Sequence, residues 1–314
     1  MKNETMPLLS RREFHGLCAL GSVFLSSGAA PLDASAAPED ASRTVRLRDG
    51  TVVPALGLGS AQLAQGRYPA EAEEAALRAA LSSGMTLIDT AELYGEGRSE
   101  KFIGRVIAGQ RDRVFLVSKV WPNHATQTGI PRACEASLAR LGTDHLDLYL
   151  LHWPTGITDF SAVVAAFERL RSAGKIRAWG VSNFSVRDME ALFRIPQGDR
   201  CAMNQVLYNL RERRIERTLL PWCEQHGVAV MAYSPLGGPG AGLLRDPTLI
   251  RMGAAHNCSA AAIALAWTIR GGHVVAIPES GSEAHVRENA VALTLKLTAE
   301  ELQTLDEAYP ARGG

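Results

Sequence analysis

The amino-acid sequence predicts an α/β protein in which eight strand–helix units form a (β/α)8 barrel, a TIM barrel, preceded by an N-terminal β-hairpin. One observation is that short apolar runs alternate with helix-length segments, as parallel strands and crossover helices do. Another is that three of the apolar runs end in Asp89, Lys119 and His152. This favours a barrel, since the functional groups of a barrel come from the carboxyl ends of its strands. The remaining length, residues 43–314, suits one barrel of about 250 residues.

Residues 1–42 predict an export leader and linker, which leaves 43–314 as the folded domain. Arg11-Arg12 precedes an apolar run, Leu17–Leu25, that is too short and too rich in Gly and Ser for a membrane span. Ala34-Ser-Ala36 supplies a small-residue cleavage pattern. This resembles a twin-arginine signal, which implies the twin-arginine translocase as a partner, a periplasmic or otherwise exported protein, and no stable membrane insertion after processing. The alternative is a chance arginine pair on a disordered tail.

The composition of the chain is that of an ordinary globular protein. The chain has 314 residues, of which 46% are hydrophobic and 21% charged, and its formal net charge is zero. Such a balance gives no indication of a nucleic-acid or membrane-surface role. The densest basic cluster, Arg211–Arg217, is interrupted by Glu212 and Glu216 at helical spacing, so we interpret it as a solvated helix face.

The cysteines predict neither a metal site nor a redox motif. Cys18 falls in the leader, and the other four are scattered without a CxxC pair or a nearby histidine: Cys134, Cys201, Cys223 and Cys258. They are expected to behave as small apolar side chains. Whether any pair forms a disulfide is left open by the sequence.

Along the folded domain, Asp49-Gly50 within an alternating run predicts a hairpin with a two-residue turn. Eight strands are predicted, at Ala55–Gly59, Met85–Asp89, Val114–Lys119, Leu146–His152, Ile176–Val181, Ala202–Gln205, Val228–Tyr233 and His273–Ile277. The eight helices are predicted at Ala70–Ser83, Ser99–Ala108, Ile130–Leu141, Ser161–Ala173, Val186–Phe193, Ile215–Gln225, Ala260–Arg270 and Glu283–Leu293. An open doubly wound sheet is the alternative, but Gly57-Leu-Gly59 lacks the third glycine of a dinucleotide-binding turn.

Several short motifs, in this order, resemble those of the aldo-keto reductases from about Thr44 to Leu305, especially the bacterial members that reduce small aldehydes such as methylglyoxal. They are Asp89-Thr-Ala-Glu-Leu-Tyr-Gly95, Ser118-Lys119, Leu151-His-Trp-Pro154, Gly180-Val-Ser-Asn-Phe184, Asn204-Gln205 and Tyr233-Ser-Pro-Leu236. The resemblance implies a barrel enzyme that reduces a small carbonyl substrate with NAD(P)H. The hairpin is then expected to close the bottom of the barrel.

Four residues are the predicted catalytic group: Asp89, Tyr94, Lys119 and His152. Tyr94 is the candidate acid, since a phenol of pKa about 10 donates poorly at neutral pH unless a nearby ammonium stabilises the phenolate. Lys119 would supply that charge, Asp89 would keep Lys119 protonated, and a neutral His152 would orient the carbonyl oxygen. Taken singly, each has a structural alternative: a cap, a surface aromatic, a solvated strand end and a packed core imidazole.

The resemblance also assigns cofactor contacts residue by residue. Ser182, Asn183 and Gln205 match the groups that hold the nicotinamide carboxamide, and Tyr233 matches the aromatic that stacks on its ring. Ser234 and Leu236 match the loop beside the pyrophosphate, whereas Glu288 and Asn289 match the adenine contacts. As alternatives, Asn183 could be a helix cap and Tyr233 a core aromatic.

The motif after the last strand departs from the family. The usual Ile-Pro-Lys-Ser, whose lysine binds the 2′-phosphate of NADPH, is replaced by Ile277-Pro-Glu279-Ser280, and His285 stands in place of an arginine. Glu279 should repel a 2′-phosphate and accept a hydrogen bond from a ribose 2′-hydroxyl, so NADH is expected to be tolerated or preferred. Arg287 is close enough in sequence to restore phosphate binding.

Two functions remain open from the sequence. The first is an exported NAD(P)H-dependent carbonyl reductase. The second is an exported cofactor-binding sensor or accessory subunit built on the same barrel, as in relatives associated with membrane channels. The catalytic residues favour the enzyme, and turnover of a small aldehyde would separate the two.

Overall fold

The structure, a computed structural model of the chain, describes residues 43–157, 159–238 and 242–311. The predicted leader lies outside these residues, so the boundary between residues 42 and 43 stays a prediction. Within the described part of the chain, no helix combines the length and the apolar character needed to cross a membrane.

An antiparallel hairpin opens the described chain. Strand β1 (Thr44–Arg46) pairs with β2 (Val52–Pro54). The predicted two-residue turn is wrong: the Leu47 amide donates to the Thr51 carbonyl at 2.8 Å, which leaves a three-residue loop ending in Gly50 at φ +89°. Three-residue hairpin loops of this kind accommodate a residue in the left-handed region, which glycine adopts readily. Arg48 donates to the His226 carbonyl just before a barrel strand, so the hairpin lies at the N-terminal end of the barrel, as expected.

Eight parallel strands follow one another around the barrel in chain order. They are β3 (Leu58–Gly59), β4 (Leu87–Asp89), β5 (Phe115–Val120), β6 (Leu146–Leu151), β7 (Ile176–Ser182), β8 (Met203–Leu207), β9 (Ala229–Tyr233) and β10 (Val274–Ala276). Parallel bridges from Leu56 to Ala276 and from Gly59 to Glu279 join the first strand to the last. This confirms the predicted (β/α)8 barrel and excludes the open doubly wound sheet.

Helices surround the sheet. They are α1 (Ala70–Ser82), α2 (Arg98–Ile107), α3 (Gly129–Leu141), α4 (Phe160–Ser172), α5 (Val186–Phe193), α6 (Leu219–Gln225), α7 (Pro247–Ala255), α8 (Ala260–Thr268), α9 (Glu283–Ala290) and α10 (Ala299–Ala308). Glycines with positive φ follow four of the helices, at 84, 142, 174 and 227, where a left-handed residue ends a helix. Both layers are well buried: all six residues of β6 and all but the first residue of α8 are buried.

Three helices differ from the sequence prediction. The single helix predicted at Ile215–Gln225 is wrong, because the chain forms a 3₁₀ turn at Arg214–Arg217 before α6 begins. Pro221 has no amide to donate to the Arg217 carbonyl, so one continuous helix cannot run through both segments. Helices α7 and α10 were not predicted, although Pro247 at the start of one and a Thr298–Glu301 capping box on the other are both start signals.

Candidate active site

The predicted catalytic residues meet at the C-terminal end of the barrel. Asp89 is the last residue of β4, Lys119 is the next to last of β5, and His152 follows β6 directly. Tyr94 begins a 3₁₀ turn, Tyr94–Gly97, in the connection after β4. Neighbouring parallel strands end side by side, and this brings the four groups together.

A buried ion pair is the centre of this group. The Lys119 ammonium donates to Asp89 Oδ2 at 2.7 Å, to the Thr90 carbonyl at 2.9 Å and to the Tyr94 hydroxyl at 3.1 Å. The Lys119 side chain is 0% exposed and that of Asp89 2% exposed. The ammonium's three N–H donors therefore all have partners, and Lys119 is no solvated strand end.

The surroundings set the protonation state of each group. Burial acts to lower the pKa of Lys119, but Asp89 and Tyr94 outweigh it, so this pKa lies above its usual value. Burial raises the pKa of the Tyr94 phenol, and the nearby Lys119 ammonium only partly opposes that increase. The sequence-based expectation named only the ammonium, but burial has the larger effect. Tyr94 is therefore a protonated phenol at neutral pH.

His152 is an uncharged imidazole packed between aromatic rings. Tyr94 and Trp121 approach it edge-on, with ring centroids at 5.7 and 5.3 Å. Burial, helped by the Lys119 charge, lowers the pKa of His152 to about 3. Its Nδ1 is buried and has no hydrogen-bond partner within the described chain. The ring can thus act as a neutral hydrogen-bonding group, as the prediction required.

A cavity of about 640 Å³, which we call the first cavity, opens onto these residues. The predicted site residues that line it are Asp89, Tyr94, His152, Ser182, Asn183, Gln205, Tyr233, Ser234, Leu236 and Glu279. Lys119 does not line it and acts from behind Asp89 and Tyr94. The lining of the cavity therefore combines acidic and aromatic side chains with hydroxyl and amide groups.

Hydrogen bonds fix the hydroxyl and amide groups of the first cavity. Tyr233 donates to Asn183 Oδ1 at 3.1 Å, and Asn183 Nδ2 donates to the His152 carbonyl at 3.2 Å. Asn183 has φ +64°, a conformation that asparagine tolerates better than most residues. The Ser182 hydroxyl donates to the Gln205 carbonyl at 2.9 Å. The Gln205 side-chain amide donates to Asp89 Oδ1 at 2.7 Å. Its role in holding the nicotinamide stays a prediction.

A second cavity, of about 390 Å³, adjoins the first and shares Arg67, Leu236, Leu244 and Glu279 with it. The remaining predicted cofactor residues line this second cavity: Ser280, His285, Glu288 and Asn289. The two cavities in series fit an elongated ligand with a ring at each end. Amide donors and a tyrosine ring stand in the first, and Asn289, which is 3% exposed, lines the second. This arrangement fits a nicotinamide dinucleotide.

Glu279 stands at the boundary between the cavities. Its Oε2 accepts a hydrogen bond of 3.1 Å from the backbone N–H of Gln62. Burial raises the pKa of this carboxyl, and the Gln62 amide and the Arg67 charge oppose that shift. Arg287 does not restore a positive charge here, because it pairs with Glu283 at 2.7 Å and lines neither cavity.

Sequence analysis missed several supporting contacts. The Ser60 hydroxyl donates to the Asp89 carbonyl at 2.8 Å, and Glu92 Oε1 accepts a hydrogen bond from the backbone N–H of Trp121 at 2.6 Å. Glu92 lies within the recognised motif, so its acidic character was visible but its partner was not. Arg67 and Gln62 lie in a loop that gave no signal.

The remaining predictions about side chains concern metals and cysteines. Among the described residues, no group of three or more His, Cys, Asp or Glu side chains could hold a metal ion. Cys134, Cys201, Cys223 and Cys258 are free thiols, and all but Cys258 are buried. Cys18 lies outside the described residues.

The sequence matches the Aldo/keto reductase family over residues 55–310. It is 49% identical over 265 residues to methylglyoxal reductase YeaE of Escherichia coli (strain K12), covering 83% of this chain and 93% of that protein. It is 35% identical over 266 residues to glyoxal reductase of Bacillus subtilis (strain 168), covering 84% of this chain and 91% of that protein.

Solved structures resemble the barrel equally well. An aldo/keto reductase from Klebsiella pneumoniae in complex with NADP and acetate superposes with a TM-score of 0.83 at 48% identity, covering 87% of this chain and 98% of that one. An aldo-keto reductase from the same organism in complex with NADPH gives a TM-score of 0.81 at 48% identity, covering 86% and 95%.

Proposed function

Since the chain belongs to the aldo/keto reductase family and is an oxidoreductase, we propose that it reduces small aldehydes or ketones to alcohols with NAD(P)H, using Tyr94 as the general acid. The observation that carries this proposal is the Tyr94 hydroxyl, 3.1 Å from a buried ammonium and facing the first cavity. The relatives named for methylglyoxal and glyoxal reduction support the substrate class. The neighbours that contain NADP and NADPH support the cofactor.

Each residue has a defined task in this reaction. When bound, the reduced cofactor supplies a hydride for the carbonyl carbon. Tyr94 donates its hydroxyl proton to the carbonyl oxygen, and Lys119 stabilises the phenolate that remains. Asp89 keeps Lys119 charged and in place. Water then returns a proton to Tyr94 after the alcohol leaves.

His152 and the amide groups orient the reactants. His152 is neutral and lines the first cavity, so it can hold the carbonyl oxygen near the Tyr94 hydroxyl without competing as an acid. Ser182, Asn183 and Gln205 would hold the nicotinamide carboxamide, and Tyr233 would stack on its ring. Ser234, Leu236, Ser280, His285, Glu288 and Asn289 would hold the rest of the dinucleotide. Fixed side chains of this kind reduce the entropy cost of reaching the reactive geometry.

Turnover tests the proposal directly. Purified chain is mixed with methylglyoxal and either NADH or NADPH, and loss of the reduced cofactor is followed by absorbance. Oxidation that depends on the aldehyde, with the alcohol identified as product, is the expected result. Tight cofactor binding without turnover of any small aldehyde would instead favour the sensor or accessory-subunit alternative, which copurification with a membrane partner would then test.

The location of the enzyme is a separate proposal. Arg11-Arg12, the apolar run after it and Ala34-Ser-Ala36 support export of the folded domain, residues 43–314, through the twin-arginine translocase to the periplasm or beyond. Export of a folded protein would carry a bound cofactor with it. Replacing both arginines by lysine should leave active enzyme in the cytoplasm, as measured by fractionation and activity. Unchanged export of the double variant would contradict the proposal.

A further inference from the structure

The second cavity carries little positive charge. Its described lining includes two carboxylates, Glu279 and Glu288, and only one arginine or lysine, Arg67. A 2′-phosphate bound there would need a cation, because two carboxylates and no cation would repel it. Arg67 is therefore the residue to consider for cofactor choice.

The loop that carries Arg67 is fixed to the strand end that carries Glu279. At one end of the loop, the backbone N–H of Gln62 donates to Glu279 Oε2 at 3.1 Å. At the other end the Tyr68 ring packs so closely on Gly281 that a Cβ atom there would overlap it. Arg67 lies between these two attachments and lines both cavities.

The hydrogen bond and the ring contact that hold the Arg67 guanidinium involve neutral groups. Its Nη1 donates to Gln62 Oε1 at 2.6 Å, and its Cζ lies 5.6 Å from the centroid of the Tyr68 ring. No salt bridge joins it to a carboxylate among residues 43–157, 159–238 and 242–311, although its charge acts on the Glu279 carboxyl. A guanidinium with free N–H donors suits a phosphate group, which it can bind through two parallel hydrogen bonds.

We propose that Arg67 is a specificity-determining residue that binds the 2′-phosphate of NADPH in place of the lysine that Glu279 replaces. This assignment rests on the proposed function. Glu279 would serve the ribose hydroxyl of NADH and Arg67 the 2′-phosphate of NADPH, so the chain would use both cofactors. The charge for the 2′-phosphate would then come from the loop after the first barrel strand and not from the segment after the last.

Binding measurements separate this role from a structural one. The dissociation constants of NADP⁺, NAD⁺ and adenosine 2′,5′-bisphosphate are measured by calorimetry for the native chain, Arg67→Ala, Arg67→Lys and Arg287→Ala. Arg67→Ala should weaken NADP⁺ and the bisphosphate about tenfold, about 1.4 kcal/mol. NAD⁺ affinity should stay within about twofold, and Arg67→Lys should keep part of the preference for the phosphate.

Arg287→Ala is the matched control. Arg287 lies between His285 and Glu288, which line the second cavity, but it lines neither cavity itself. The control variant should leave all three affinities unchanged. Equal losses for NADP⁺ and NAD⁺ in Arg67→Ala, or no loss for either, would overturn the assignment while leaving the proposed function intact. Failure of the native chain to bind either dinucleotide would overturn the proposed function and, with it, this assignment.

Discussion

The side-chain amide of Gln205 donates to Asp89 Oδ1 at 2.7 Å, and the other oxygen of Asp89 binds the Lys119 ammonium, also at 2.7 Å. The Asp89 carboxylate therefore connects Gln205, which is predicted to hold the nicotinamide, to Lys119, which contacts the predicted acid Tyr94. A ligand that draws the Gln205 amide away would leave Asp89 more strongly paired with Lys119. If Gln205 holds the cofactor as predicted, cofactor binding would in this way be electrostatically connected to Tyr94.

Replacing Tyr94 by phenylalanine should remove most of the reductase activity and little of the cofactor binding. In the proposed reaction the hydroxyl transfers the proton, whereas the ring only shapes the first cavity. Loss of a general acid typically costs about 10²–10⁴-fold in rate. Single-turnover rates with methylglyoxal and cofactor titrations measure the two effects separately. A variant that keeps nearly full kcat at neutral pH would require another acid.

Replacing Lys119 by methionine should destabilise the fold as well as abolish activity. The Asp89 carboxylate would then be buried without its counter-charge, which typically costs about 3–5 kcal/mol of unfolding free energy. The double variant Lys119→Met with Asp89→Asn removes both charges and should recover much of the stability but none of the activity. Urea unfolding of the three proteins checks this. A double variant as unstable as the single one would show that packing, and not charge, is responsible.

The pH profile of reduction should lack the usual histidine inflection. His152, with a pKa of about 3, stays neutral above about pH 4, and Tyr94 keeps its proton beyond the usual range of a phenol. We therefore expect kcat/KM to be nearly flat between about pH 5 and 9. An inflection near pH 6.5 that disappears in His152→Asn would contradict this.

The same histidine makes stability depend on pH. Its pKa falls from 6.5 to about 3 on folding, so between these values the unfolded chain binds the proton and the folded chain does not. This contribution to stability is fully present above pH 6.5 and is lost as the pH falls toward 3. Thermal unfolding of the native chain and of His152→Asn across that range should reveal a weaker pH dependence in the variant. Parallel curves would mean that other groups dominate.

Replacing Glu279 by lysine should shift the preference toward NADPH. A unit charge pair at about 4 Å and an effective dielectric of about 20 interacts by about 4 kcal/mol. Solvent at this half-buried position should reduce the effect to roughly 1–2 kcal/mol, which is about tenfold or more. The ratio of kcat/KM for the two cofactors, in the native chain and the variant, measures the shift. A preference that does not change in the variant would show that Glu279 does not face the phosphate.

The barrel and the meeting of three predicted catalytic residues at one end of it could be predicted from the sequence, because both depend on local patterns. Asp89, Lys119 and His152 each end an apolar run, and parallel strands must end at the same side of a barrel. The contacts of Gln205 and Arg67 could not be predicted in the same way. They depend on side-chain rotamers and on loops far apart in sequence, such as the Gln62 amide that meets Glu279 across 217 positions. Pro221, which prevents one helix from running through Arg217, and the capping box at the start of α10 were local signals that could have been used.

The burial of Lys119 has a consequence for an enzyme proposed to handle reactive aldehydes. An unprotonated lysine amine condenses with an aldehyde to form an imine, and methylglyoxal would reach any lysine that lined the cavity. Lys119 is 0% exposed and carries a raised pKa, so it offers the aldehyde neither access nor a lone pair. The ammonium that is proposed to stabilise the Tyr94 phenolate would thereby be protected from covalent modification by the proposed substrate.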